Sequence, residues 1–304
     1  MRWNGYVAHA TPTRLNRKSG TKVIRNRICQ ALIVTTAFAG AMAAVGVSSA
    51  AANEYEAFAQ CPTEAPGVET CIVARTGSGE IKLGNESVPI EKTQTLQGGL
   101  IIETPFESVF ETALNGETLT KTPQKVPGGL TGIKCSEIKG TGFIERELRK
   151  LCESIFDSHL TAVYATTEVA GSANSIILNQ PFLEIGYSTA LTLPVKVKLE
   201  NPLLGSSCYI GSNSEPIKLE LSTASPGKVG TISTRAKGGI LVISNNTLVD
   251  SGFKAPGATG CGIGGLLDGL LNSKLALPAT TGDNAVLNNT LEETNSELVA
   301  GNGE

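Results

Sequence analysis

Histidine and tryptophan are nearly absent. The 304 residues hold two histidines, His9 and His159, and one tryptophan, Trp3. A Ser-His-Asp triad or a multi-histidine metal site therefore has His159 as its one candidate beyond the N-terminal segment. His159 follows a helical pattern and reads as a helix-end histidine, where a cation is favourable. No C-x-x-C pair occurs, so zinc is not expected. The four aspartates, Asp157, Asp250, Asp268 and Asp283, are isolated, which excludes a D-x-D-x-D-G calcium loop. Sugar-stacking platforms would have to come from Tyr55, Tyr164, Tyr187 and Tyr209. Each reads instead as a half-buried strand residue, with Tyr209 packing against its neighbour Cys208.

Four short motifs lack the context their chemistry needs. Gly186-Tyr187-Ser188-Thr189-Ala190 imitates a nucleophile elbow, but a strand pattern follows and no histidine lies beyond 159. Gly260-Cys261-Gly262-Ile263-Gly264-Gly265 fits G-x-G-x-x-G. No strand pattern precedes it to aim a helix at a pyrophosphate, so it reads as a helix entry anchored by a disulfide. Ser136 to Lys139 and Ser225 to Lys228 fit S-x-x-K, and Ser244-Asn245-Asn246 could mimic the second motif of that set, but the chain after residue 52 has no K-T-G. Leu277-Pro278-Ala279-Thr280-Thr281-Gly282 has threonine where a wall-sorting signal needs glycine, and no apolar anchor follows. Twenty-four glutamates leave a two-carboxylate hydrolase open without locating it. No catalytic, cofactor-binding or metal residue is assigned, and no cofactor is expected.

What is present starts at the N-terminus. Residues 1–27 carry seven basic side chains and no acid, and residues 28–52 are uncharged and rich in alanine. Ala50-Ala51-Ala52 offers a small-residue cleavage site before Asn53. A basic start, apolar middle and small-residue end form a secretory signal peptide over residues 1–52, cleaved between Ala52 and Asn53. A start at Val23 would give a more compact leader. The alternative is an uncleaved anchor, since the stretch is long enough to span a bilayer. The whole chain has 25 basic and 28 acidic residues, net −3. Without residues 1–52 it has 18 against 28, net −10. Nucleic acid is not an expected partner of so acidic a surface. Lipidation of Cys61 is rejected, because Glu54 and Glu56 separate it from the apolar run.

Cysteine usage agrees with export. Cys29 leaves with the leader, and Cys61, Cys71, Cys135, Cys152, Cys208 and Cys261 remain. Six cysteines in an oxidising space imply three disulfides. Neighbour pairing, Cys61–Cys71, Cys135–Cys152 and Cys208–Cys261, is expected.

The mature chain, 53–304, reads as mainly β: an antiparallel β-sandwich or barrel, with one amphipathic helix at about 143–158 and a short C-terminal helix at about 265–275. It reads as one domain, with 171–175 the best place for a sub-boundary. Strands are expected at 71–75, 80–84, 86–91, 99–104, 128–135, 160–170, 175–179, 189–201, 229–234 and 239–246. The clearest is 189–201, where Leu191, Leu193, Val195, Val197 and Leu199 alternate with polar residues and proline. Pro194 marks it as an edge strand or a bulged one. PVKVKL (194–199) echoes PIKLEL (216–221), and NNTLVDS (245–251) echoes NNTLEET (288–294). Pairing of the first two would set Lys196 and Lys198 against Glu220. In the first helix Ile144, Leu148, Leu151, Cys152, Ile155 and Phe156 share a face that should pack on the core. In the second, Leu266, Leu267, Leu270, Leu271 and Leu275 should share one side. The tail from Asn295 should fray.

The function that follows is an exported, non-catalytic structural or interaction protein of the cell envelope or extracellular space. Two alternatives stand beside it: a secreted carboxylate-dependent hydrolase of carbohydrate, and a carrier of small apolar molecules.

Overall fold

The strand at Thr189–Glu200 organises the molecule, and its alternation is the reason. Leu191, Leu193, Val195, Val197 and Leu199 are all buried, while Thr192, Lys196, Lys198 and Glu200 are only partly covered. The computed structural model describes residues 54–156, 160–185, 188–223 and 229–301. Cleavage residues Ala52 and Asn53, His159 and Tyr187 lie outside them, as do Ser225 and Lys228.

In chain order the strands are β1 Val68–Leu83, β2 Glu86–Pro89, β3 Gln94–Ile102, β4 Ser108–Glu111, β5 Gln124–Val126, β6 Val163–Val169 and β7 Ile177–Leu178. There follow β8 Thr189–Glu200, β9 Tyr209–Ile210, β10 Ile217–Thr223, β11 Thr231–Arg235, β12 Ile240–Asp250, β13 Ala258–Thr259 and β14 Asn284–Asn295. The helices are α1 Phe143–Phe156, α2 Gln180–Ile185, α3 Asp268–Leu275 and α4 Ser296–Ala300. The strands form one antiparallel sheet. It runs β10-β12-β14-β1-β3-β4-β7-β8 and closes on itself where β8 pairs with β10. The mainly β, barrel-like architecture is thus the one expected.

β8 serves two neighbourhoods. Its first half pairs with β10 and β7, and its second half pairs with β6 and β9. β8 is therefore a central strand, not an edge, and no bulge falls at Pro194. Pro194 is buried where the neighbour on one side changes from β7 to β6. Its carbonyl accepts the Ala170 N–H just past the end of β6. The N–H it lacks would point to that same side, where the ladder is already interrupted.

Both sequence echoes are strand pairs. β8 lies against β10 with Val195 opposite Ile217 and Thr192 opposite Glu220. This register keeps Glu220 from Lys196 and Lys198. Instead Lys196 pairs with Glu168 at 3.7 Å, Lys198 with Glu200 at 3.1 Å and Glu220 with Lys218 at 2.7 Å. β12 lies against β14 with Thr247 opposite Asn288, and the threonine hydroxyl donates to Asn288 Oδ1 at 2.8 Å.

The ring encloses the main core, in which Ile72, Leu100, Phe110, Leu219 and Leu221 are almost fully buried. A smaller core lies at one end, where Tyr55, Phe58, Val73 and Ile240 meet Leu298 and Val299. Residues from Ala51 onward form one unit that holds both cores. Residues 171–175 form a bend and a short 3-10 helix between β6 and β7.

Several elements differ from expectation. Residues 128–135 form turns, not a strand, because Gly128, Gly129 and Gly132 take positive φ. β14 was not foreseen as a strand of its own. The tail packs rather than frays as far as Gly301: α4 follows β14, and Ser296 is buried with its hydroxyl donating to the Val68 carbonyl at 2.9 Å. α3 and the turn before it set Leu267, Leu271 and Leu275 inward and leave Leu266 and Leu270 in solvent. The strongest departure is α1. Ile144, Leu148 and Leu151 face solvent, and the covered side carries Glu145, Arg149 and Cys152. Among the described residues no helix is long and apolar enough to cross a membrane.

Candidate functional site

β1 runs the length of the ring. It starts at Val68, opposite Ile101, and ends at Leu83, next to the turn that meets α3. At that second end the described residues of three segments, 127–161, 201–208 and 260–276, are linked to one another.

Each segment is held by polar contacts, most of them partly buried. In the third, the Asp268 carboxylate accepts the N–H of Cys261 at 2.7 Å and of Gly260 at 3.2 Å. Cys261 is bridged to Cys208, and the Gly262 N–H donates to the Leu204 carbonyl at 2.8 Å. So clamped, the loop projects Ile263 and Leu266 into solvent at 89% and 82% exposure. Asn201, itself buried, joins the second segment to the first. Its Nδ2 donates to the carbonyls of Leu160 (3.0 Å) and Ala162 (2.8 Å), and its Oδ1 accepts from Leu203 N–H at 2.8 Å. Leu160 and Leu203 point outward.

Lys274 joins the third segment to the first. Its ammonium donates to the carbonyls of Gly129 and Leu130. Burial lowers the Lys274 pKa below the usual 10.5, and the nearby Glu86 opposes that shift. Glu86 also pairs with Lys134 at 3.3 Å. Beyond Lys134, the Cys135–Cys152 bridge and a 2.7 Å hydrogen bond from Arg149 to the Ile138 carbonyl fasten α1. With Ile133, Phe143 and Leu270, ten large exposed apolar residues sit on these three segments. At the opposite end the comparable residues are Ile102, Phe106 and Leu114. These ten stand on three neighbouring segments and are most of the large exposed apolar side chains among the described residues. This apolar crown is the candidate functional site.

The hollows are less suggestive. The ring interior holds a cavity of about 60 Å³ lined by residues such as Ile72, Phe110, Leu191 and Leu219. A drug-sized ligand needs roughly 300 Å³ or more. A polar hollow of about 300 Å³ lies on the side, with Lys121, Glu168, Ser172, Lys196 and Asn213 in its wall. Glu168 is its one carboxylate. Lys196 there donates to Asn213 Oδ1 at 3.0 Å and sits 5.3 Å from the centre of the Tyr209 ring. Burial, then the Glu168 charge, raises the Tyr209 pKa above 10.0. A hollow near α4 has two acids, Glu56 and Glu64, both exposed. Among the described residues no group of three acids, cysteines or histidines is placed to hold a metal.

The six cysteines form the three neighbour bridges expected: Cys61–Cys71, Cys135–Cys152 and Cys208–Cys261. Two of them anchor the crown. The G-x-G-x-x-G residues 260–265 are the crown loop, and the near-sorting motif 277–282 is the turn before β14. Of the tyrosines, Tyr55 is buried, Tyr164 is exposed on β6 and Tyr209 is half-buried facing Lys196. The crown itself was missed. Its signal was the very periodicity assigned to core packing. Comparison with protein-family models, curated proteins and solved structures finds no match to this chain.

Proposed function

We propose that this chain is an exported, non-catalytic interaction protein of the cell envelope or the extracellular space, released from its leader between Ala52 and Asn53. The crown carries the reading: ten large apolar side chains on disulfide-anchored loops at one end of a filled barrel. β11 adds support. Among the described residues it pairs on one side only, with β12, and Thr231–Thr234 are exposed. A free edge and a concentration of exposed apolar side chains are both features of surfaces that bind. The three disulfides agree with an oxidising compartment. The hydrolase alternative calls for two facing carboxylates, one desolvated, and the polar hollow has a single one. The carrier alternative calls for a void larger than the 60 Å³ present.

The test is cell fractionation with non-reducing mass spectrometry. The expected result is a chain starting at Asn53, outside the cytoplasm, with six cysteines oxidised in the pairs above. Full-length chain in the cytosol with six free thiols would overturn the reading.

A further inference from the structure

We infer that the crown seats on a lipid surface, with Ile263, Leu266, Leu270 and the outward stripe of α1 entering the acyl-chain boundary of a zwitterionic bilayer. The inference rests on the proposed export only in bringing the protein to a membrane face.

Three observations carry it. First, among the described residues α1 is fastened through Glu145, Arg149 and Cys152 alone, which leaves both its apolar stripe and the charged flank Arg146, Glu147, Lys150 and Glu153 exposed. Glu145, Arg149 and Cys152 face the protein, so Ile144, Leu148 and Leu151 are offered outward. An amphipathic helix held this way presents the face that interfacial helices bury among lipid chains. Second, charge is unevenly divided. Segments 127–161, 201–208 and 260–276 together hold six basic and six acidic residues, while the rest of 53–304 holds 12 and 22. Among the described residues the crown holds six basic and five acidic side chains, so the acidic excess lies on the body. An apolar end with almost no net charge matches zwitterionic headgroups, and the acidic body is repelled by anionic lipid. Third, the apolar groups stand on separate projections, with Ile263 and Leu266 almost wholly free of protein contact. A fluid phase closes around such projections, whereas a protein partner needs a matching pit for each.

The unit 51–304 holds both cores, all three bridges and no tryptophan, so single reporters can be placed in it. Leu266→Trp and Phe143→Trp are each mixed with phosphatidylcholine vesicles. The expected result is a blue shift of emission for both. In flotation, the parent should rise with the vesicles at least tenfold more than Ile263→Ser/Leu266→Ser/Leu270→Ser. Ile102→Ser/Phe106→Ser/Leu114→Ser, at the opposite end, should float as the parent does. Absence of shift and flotation overturns the inference. So does flotation that survives the crown variant or is lost equally in the opposite-end variant. A dimer that the crown variant splits, without vesicle binding, assigns the surface to a second copy instead. Failure with lipid in an exported, oxidised protein sinks this inference alone. Cytosolic location with free thiols sinks the proposed export and leaves the vesicle result standing.

Discussion

The carboxylate of Asp283 accepts the backbone N–H of Gly84 at 2.7 Å, joining residues 199 positions apart and pinning the β1–β2 turn to the start of β14. Asp283 is 1% exposed, and its Oδ2 is buried without a hydrogen-bond partner. Burial raises its pKa above the ordinary 3.8, with the Gly84 N–H and the Lys82 charge opposing. A raised carboxyl pKa means the folded state holds the proton more tightly than the unfolded chain. Its contribution to stability is therefore full below the unfolded pKa and is lost as pH climbs from 3.8 through the raised value. Asp283→Asn keeps an acceptor for Gly84 and removes the titration. Urea midpoints of the variant should vary less between about pH 4 and 7 than those of the parent. Parallel profiles would refute this.

Asn201 satisfies three backbone groups from one buried amide. Asn201→Ala leaves the Leu160 and Ala162 carbonyls and the Leu203 N–H without that partner. The expected loss is about 2–4 kcal/mol, read from urea unfolding at neutral pH. A loss near zero would mean water replaces the amide at no cost.

Gly79 follows the register shift in β1 between Thr76 and Ser78 and has φ +139°. A Cβ there would lie 2.1 Å from the Val286 carbonyl oxygen. Gly79→Ala should cost on the order of 2–3 kcal/mol. Two positions earlier, a Cβ on Gly77 would have nothing within 4 Å. Gly77→Ala should be neutral or stabilising by up to about 1 kcal/mol. Thermal unfolding of the two variants side by side checks the contrast.

The bridges should differ in worth with the chain each closes. Cys208–Cys261 spans 53 residues and Cys135–Cys152 spans 17. Loop-closure entropy gives about 4 kcal/mol for the longer and about 3 for the shorter. Cys135→Ala/Cys152→Ala should also strip hydrogen-exchange protection from α1 while β8, β10, β12 and β14 keep theirs. Loss of protection throughout the ring would contradict the local role assigned to that bridge.

Legibility in the sequence followed how fully a pattern could be read from one element. β8 was plain because every second residue from Leu191 to Leu199 is a large aliphatic. The bridges were plain because neighbouring cysteines close short loops. β14 was not, because Asn289 and Glu293 stand among its buried positions and break the alternation. Glu293 is tolerated there because Gln180 Nε2 donates to it at 2.6 Å across the fold. α1 was located correctly and oriented wrongly. A period of 3.6 says that an apolar stripe exists, not what it faces. What turned it outward was the pairing of Cys152 with Cys135 and the reach of Arg149 to the Ile138 carbonyl, neither of which periodicity records.

The ring closes through backbone pairing of β8 with β10, and no bridge runs across it. Sulfur chemistry acts on the ends of the barrel while its wall is held by hydrogen bonds and packed aliphatics. A reducing environment would loosen the end loops before it opened the body. Loop anchoring and barrel integrity are therefore governed by different chemistry within one chain.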